Sequence, residues 1–139
     1  MPANTAPIFT QFPNCPVVTI TAANTARDGS GSLVTLFTAG TNGSLLSKVT
    51  FTNSQATAGV SVLKVMRIFV TDTAGANPKL RGEVLLPTLT PSNTVIGATA
   101  TFTFTDGLVL KSGQIVKVSQ SLCATAADNS DVVAEGGDY

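Results

Sequence analysis

The sequence predicts an all-β protein, an antiparallel β-sandwich or barrel of about eight strands. Three observations lead there. Threonine is the commonest residue and valine is abundant, and both suit a pleated, half-buried surface. No segment sustains the apolar period of an amphipathic helix, about 3.6 residues. Gly, Pro, Asn and Asp recur about every ten residues between apolar runs, the rhythm of short strands joined by tight connections. A chain of 139 residues fits one domain, read as an extended N-terminal arm over 1–15 and a single sandwich over 16–139.

The arm, MPANTAPIFTQFPNC, is rich in Pro and polar residues and has no strand period. It carries Phe9 and Phe12 and is expected to reach a neighbouring molecule. The predicted strands follow as PVVTITA (16–22), SLVTLFTA (32–39), SLLSKVTFTN (44–53), VSVLKVMRIFVTD (60–72), LRGEVLLPTL (80–89), VIGATATFTFTD (95–106), GQIVKVSQSL (113–122) and DVVAEGG (131–137). Asn42-Gly43 is the favoured pair for a two-residue hairpin, and Asp106-Gly107 and Ser112-Gly113 bracket LVLK as turns. TAGANP (73–78) and TPSN (90–93) read as loops, and ATAADNS (124–130) as a polar connection with room for a short helical turn.

Alternation assigns the faces. Phe102 and Phe104 point to the core while Thr101, Thr103 and Thr105 point to solvent. Leu45, Val49 and Phe51 are expected on one face, with Lys48, Thr50 and Thr52 opposite, and Val116 and Val118 face in while Lys117 faces out. The run 60–72 departs from this pattern. Val62, Met66, Ile68 and Val70 share a parity with Lys64, and Leu63, Val65 and Phe69 share the other with Arg67. A strand apolar on both sides is either covered on both or exposed at a subunit interface. With no helix to cover it, the interface is the expectation, through Leu63, Val65, Arg67 and Phe69. Lys64 and Arg67 are expected to pair with Glu83 across strands.

Charge is scarce, 12% of residues against about 25% in ordinary soluble proteins, and eight basic residues balance eight acidic ones. No field steers the chain toward nucleic acid or an anionic membrane. A neutral surface instead tolerates other copies of itself. Histidine is absent, which removes Ser-His and Cys-His nucleophile pairs and the commonest transition-metal ligand. No catalytic residue, cofactor or metal is expected. Tryptophan is absent too, so an aromatic sugar platform would rest on Phe. Cys15 and Cys123 belong to no C-x-x-C spacing and read as reduced thiols able to pair only if their strands adjoin. The start of the chain has neither a basic nor an apolar signal region, and no apolar run spans a bilayer, so synthesis in a cytoplasm without membrane association is expected.

Two motifs suggest ion sites. ARDGSGS (26–32) spells D-x-S-x-S, the opening of an adhesion-type metal site, but a β run rather than a helix follows it. Asp28 is read as capping a turn, with Gly29 and Gly31 giving backbone freedom. ADNSD (127–131) lacks the glycine and closing Glu of an EF-hand and is read as a polar turn.

The segments TAANTARDGSGS and FTAGTNGS, the step Arg67-Ile68-Phe69 and the ending Gly136-Gly137-Asp138-Tyr139 resemble small head- or tail-associated virion proteins of tailed bacteriophages. That resemblance implies a β-sandwich or jelly-roll fold and a non-enzymatic structural role. It implies a homotrimeric decoration, or cement, protein made in the host cytoplasm and bound to the major capsid protein on the outside of the virion. The other reading is a carbohydrate-binding module of a tail or fibre. A hydrolase of surface polysaccharide is disfavoured by the missing histidine and the lack of a recognisable carboxylate pair.

Overall fold

The computed structural model describes residues 9–55 and 61–139. Nine strands lie among them: β1 (Phe12–Asn14), β2 (Val17–Ile20), β3 (Val34–Thr38), β4 (Ser44–Asn53), β5 (Lys64–Val70), β6 (Lys79–Leu86), β7 (Thr99–Leu110), β8 (Ile115–Gln120) and β9 (Ser130–Asp138). Among the described residues there is no helix, hence none long and apolar enough to cross a membrane. The short helical turn expected in 124–130 is a plain turn, closed by the Asp128 N–H donating to Thr125 O at 3.1 Å.

All paired strands are antiparallel, in two sheets. One is ordered β1-β9-β4-β7 with β2 also on β9, and the other β3-β8-β5-β6. Their apolar faces share one hydrophobic cluster, in which Leu46, Val49, Phe51 and Val132 of the first sheet join Phe37, Met66, Ile68 and Val118 of the second. The Thr/Val alternation of the sequence creates this division, since each strand turns one parity inward. Phe102 and Phe104 pack on the cluster as an edge-to-face pair, centroids 5.0 Å apart, but stay half-buried because β7 is an edge strand.

Several expectations are corrected by local geometry. Part of the N-terminal arm is a strand: β1 lies along the end of β9, and Asn14 Nδ2 donates to the Asp138 carboxylate at 3.1 Å. Residues 1–8 of the arm, and Val60 of the run 60–72, lie outside the described residues. Asn42-Gly43 does not form a hairpin. The turn spans Gly40 to Gly43 and carries the chain from β3 in one sheet to β4 in the other. Asp106-Gly107 does not end its strand either. Both residues have positive φ, 62° and 79°, and they form an irregularity inside β7 where its register on β4 shifts. The same shift falls between Leu46 and Lys48, so Leu46 rather than Leu45 points into the core.

The two-faced strand is also explained within the chain. β5 is an inner strand of its sheet, with Lys64, Met66 and Ile68 buried on one face and Arg67 and Phe69 on the other. The connection from β2 to β3, residues 21–33, lies over that second face. Asn24 N–H donates to Gln120 O beside β8, Arg67 Nη1 donates to the Asn24 and Ala26 carbonyls at 3.1 and 3.5 Å, and Arg27 reaches Glu83 on β6 at 2.7 Å. Gly29 then packs on the Pro78 carbonyl so closely that no Cβ fits, at a φ of 90°. These anchors bracket Phe69, which is 0% exposed, while Arg67 is 7% exposed. Neither residue can serve a subunit interface while this strap is in place.

Candidate functional site

ARDGSGS is the far end of the strap. Asp28 Oδ1 accepts the Ser30 hydroxyl at 2.6 Å and the Ser30 N–H at 3.0 Å, and these two donors hold its carboxyl below the usual carboxylate range. Asn24 Nδ2 donates to the Ser30 and Ser32 carbonyls, tying the return limb to the outgoing one. Asp28 Oδ1 and the Ser30 hydroxyl are thus engaged within the turn. Asp72 is used likewise, accepting Ala76 N–H, the Asn77 amide and Ala74 N–H, which hold its carboxyl below the usual carboxylate range. Among the described residues no three His, Cys, Asp or Glu side chains converge as a metal site would require. Cys15 and Cys123 are both free.

Two surfaces keep the apolar exposure the sequence suggested. The first lies at the β1/β2 margin, where Phe9 and Phe12 are 74% and 63% exposed and Val17 is also exposed. The second is the end of β5 that the strap leaves bare. Leu63 is 51% exposed, Val65 is half-buried, and the register sets Val65 beside Leu85, itself exposed. Of the residues expected at an interface, Phe9, Phe12, Leu63 and Val65 are therefore at the surface, and Arg67 and Phe69 are not. Leu85 is not singled out by the sequence, because Val84, Leu85 and Leu86 are consecutive apolar residues and parity does not say which of them faces out. The outward face of the first sheet is otherwise hydroxyl-rich, with Thr50 beside Thr101 at 3.1 Å and Thr52 beside Thr99 at 3.3 Å.

A third cluster is buried and polar. At one end of the sandwich the inward parity of four strands stops being apolar: Asn53 follows Val49 and Phe51, Gln120 follows Val116 and Val118, Ser130 precedes Val132 and Ala134, and Lys64 precedes Met66 and Ile68. Asp128 enters this layer from the β8–β9 connection. Contrary to the expectation, Lys64 does not pair with Glu83, because it points inward while Glu83 faces outward to Arg67 at 3.0 Å. Its Nζ lies 2.7 Å from Asp128 Oδ1, and both side chains are 0% exposed.

The remaining partners close the cluster. Asn53 Nδ2 donates to the same Asp128 Oδ1 at 2.9 Å, and Ala124 and Val62 N–H groups donate to Oδ2 at 2.9 and 3.5 Å. Lys64 Nζ also donates to Gln120 Oε1 and Asp128 O, and Ser130 Oγ donates to Gln120 Oε1. Burial pushes the Asp128 carboxyl up, but the Lys64 ammonium and the backbone donors outweigh it and leave it below its ordinary value. Removing two such ions from water costs several kcal/mol each, offset only by close, well-bonded geometry. Asn53 Oδ1 is the exception, a buried carbonyl oxygen with no hydrogen-bond partner among the described residues. The signal for this layer was in the sequence as polar residues at core parity in four runs, but parity alone cannot say which of them meet.

No protein-family model matches the chain, and no curated protein matches it.

Proposed function

We propose that the protein is a non-enzymatic structural subunit of a tailed-bacteriophage virion, a homotrimeric decoration protein that binds the major capsid protein from outside. The single observation that carries the reading is the pair of separate apolar surfaces on a chain without net charge: Phe9, Phe12 and Val17 at one margin, and Leu63, Val65 and Leu85 on the other sheet. A subunit held both by its own copies and by a shell needs two such surfaces, and three linked copies let weak shell contacts act together. We assign Leu63, Val65 and Leu85 to the trimer and the Phe9/Phe12 margin to the shell.

The fold we propose is a jelly roll. Taking β2 to β9 as its eight strands, the first, eighth, third and sixth form one sheet and the second, seventh, fourth and fifth the other. Two interleaved Greek keys produce that order, and capsid proteins and lectins both use it. β1 is then an addition that ties the arm to β9.

Native mass spectrometry tests the assembly, with three copies expected and a wild-type monomer overturning it. The double variant Leu63→Asp/Leu85→Asp is expected to give folded monomers. Phe12→Asp is expected to keep the trimer and to lose co-sedimentation with phage shells. A second reading, a carbohydrate-binding module of a tail or fibre, draws on the outward threonine rows, and glycan-array binding without shell binding would favour it.

A further inference from the structure

Lys64, Asn53 and Asp128 hold a nucleophile, an electrophile and a proton carrier in one buried cluster. Lys64 Nζ and Asn53 Nδ2 both contact the same oxygen, Asp128 Oδ1, at 2.7 and 2.9 Å. All three residues are buried, with Lys64 1% and Asn53 6% exposed. The amide nitrogen that would leave already points at the group that would protonate it. The carbonyl oxygen of the same amide, Asn53 Oδ1, is buried with no hydrogen-bond partner among the described residues, while its Nδ2 also donates to the Asn129 carbonyl at 3.3 Å.

We propose that Lys64 and Asn53 become joined by an intramolecular isopeptide bond, with Asp128 as the catalytic acid and base. Lys64 gives a proton to Asp128 across their hydrogen bond and becomes a neutral amine. Its Nζ attacks Asn53 Cγ, forming the new C–N bond and a tetrahedral centre. Asp128 passes a proton to the amide nitrogen, the old Cγ–Nδ2 bond breaks, and ammonia departs. A second proton from Nζ returns through Asp128, leaving its carboxylate and, in balance, one ammonium ion for the original Lys64 charge. No oxidant, metal or energy source enters. Proximity supplies the drive, since held groups react as if at very high concentration.

The bond would join the end of β4 in one sheet to the start of β5 in the other. It stands independently of the virion reading, because it concerns the chain's own interior.

The test is the mass of the intact, purified protein, followed by fragmentation of its peptides. The expected result is a mass lower by one ammonia than the sequence requires, with the loss mapped to a branched peptide joining Asn53 and Lys64. The full, unreacted mass overturns the proposal. A loss of one water overturns it too, since that marks a Lys64–Asp128 amide. So does an ammonia loss mapped elsewhere, such as a succinimide at Asn42-Gly43. Lys64→Met and Asp128→Asn are expected to show the full mass. Should either fail to fold, the wild-type measurement decides alone.

Discussion

Strand β5 presents one cation on each face, and the chain treats the two in opposite ways. Lys64 turns inward to Asp128, with both side chains wholly removed from water. Arg67, three positions on, turns outward to Glu83, whose carboxylate is 29% exposed, and to carbonyls of the strap. The inner pair joins a strand to a distant loop, whereas the outer one joins strand neighbours in register and pins down a covering segment. The inner pair therefore matters through what happens if half of it is lost, and the outer pair through what it holds in place.

The largest effect follows from removing half of the inner pair. Asp128→Ala leaves the Lys64 ammonium buried without a counter-charge and is expected to cost roughly 3–5 kcal/mol of unfolding free energy. Chemical denaturation at neutral pH measures it. Adding Lys64→Met to that variant removes the stranded charge and is expected to recover part of the loss. If the double variant is no more stable than Asp128→Ala, the inner charge was never the cost.

Acid sharpens the same contrast. The Asp128 carboxyl lies below its ordinary value of 3.8 in the folded chain. A carboxyl lowered by folding contributes stability above its unfolded value, and that contribution is lost as pH falls through the folded one. Denaturation midpoints are expected to drop between about pH 5 and pH 2, and to drop less in Asp128→Ala than in the wild type. Asp28 and Asp72 shift in the same direction but are exposed, so they account for the smaller residual slope.

The two faces also differ in how far the sequence discloses them. Composition and turn rhythm are enough for two antiparallel sheets, and alternation finds Val116, Val118, Phe102 and Phe104. Pairing of Arg67 with Glu83 is legible because cross-strand neighbours are set by register. Lys64 with Asp128 is not, because a loop residue joins a strand by packing, which has no period. Alternation misplaces Leu45 for a related reason: one extra residue in a bulge flips the parity beyond it. The covering of Phe69 depends on where residues 21–33 fold back, and nothing in β5 itself records that.

On the outer face the effects are smaller. Arg67→Ala frees the Asn24 and Ala26 carbonyls and leaves Glu83 with Arg27 alone, a loss expected near 1.5–3 kcal/mol because the lost hydrogen bonds are charged and largely buried. Hydrogen exchange should rise in residues 21–33 while the core strands stay protected. Gly29→Ala attacks the strap from its other end, combining a positive φ with contact against the Pro78 carbonyl, and is expected to cost about 1–2 kcal/mol with the same local exchange pattern. Exchange that rises throughout the sandwich would instead make the strap part of the core.

Arg27→Ala should do least. Its guanidinium meets Glu83 at 2.7 Å, yet the side chain is 64% exposed and Glu83 keeps its bond to Arg67. An exposed pair of this kind is worth about 0–1 kcal/mol, and salt screens it over a Debye length of about 8 Å. The expected result is a small destabilisation that vanishes at high salt, beside an Asp128→Ala loss that salt hardly changes. If Arg27→Ala matches Arg67→Ala, the strap hangs on its exposed contact rather than on the buried guanidinium, and the outer face of β5 is then held from the edge of the sheet instead of from its interior.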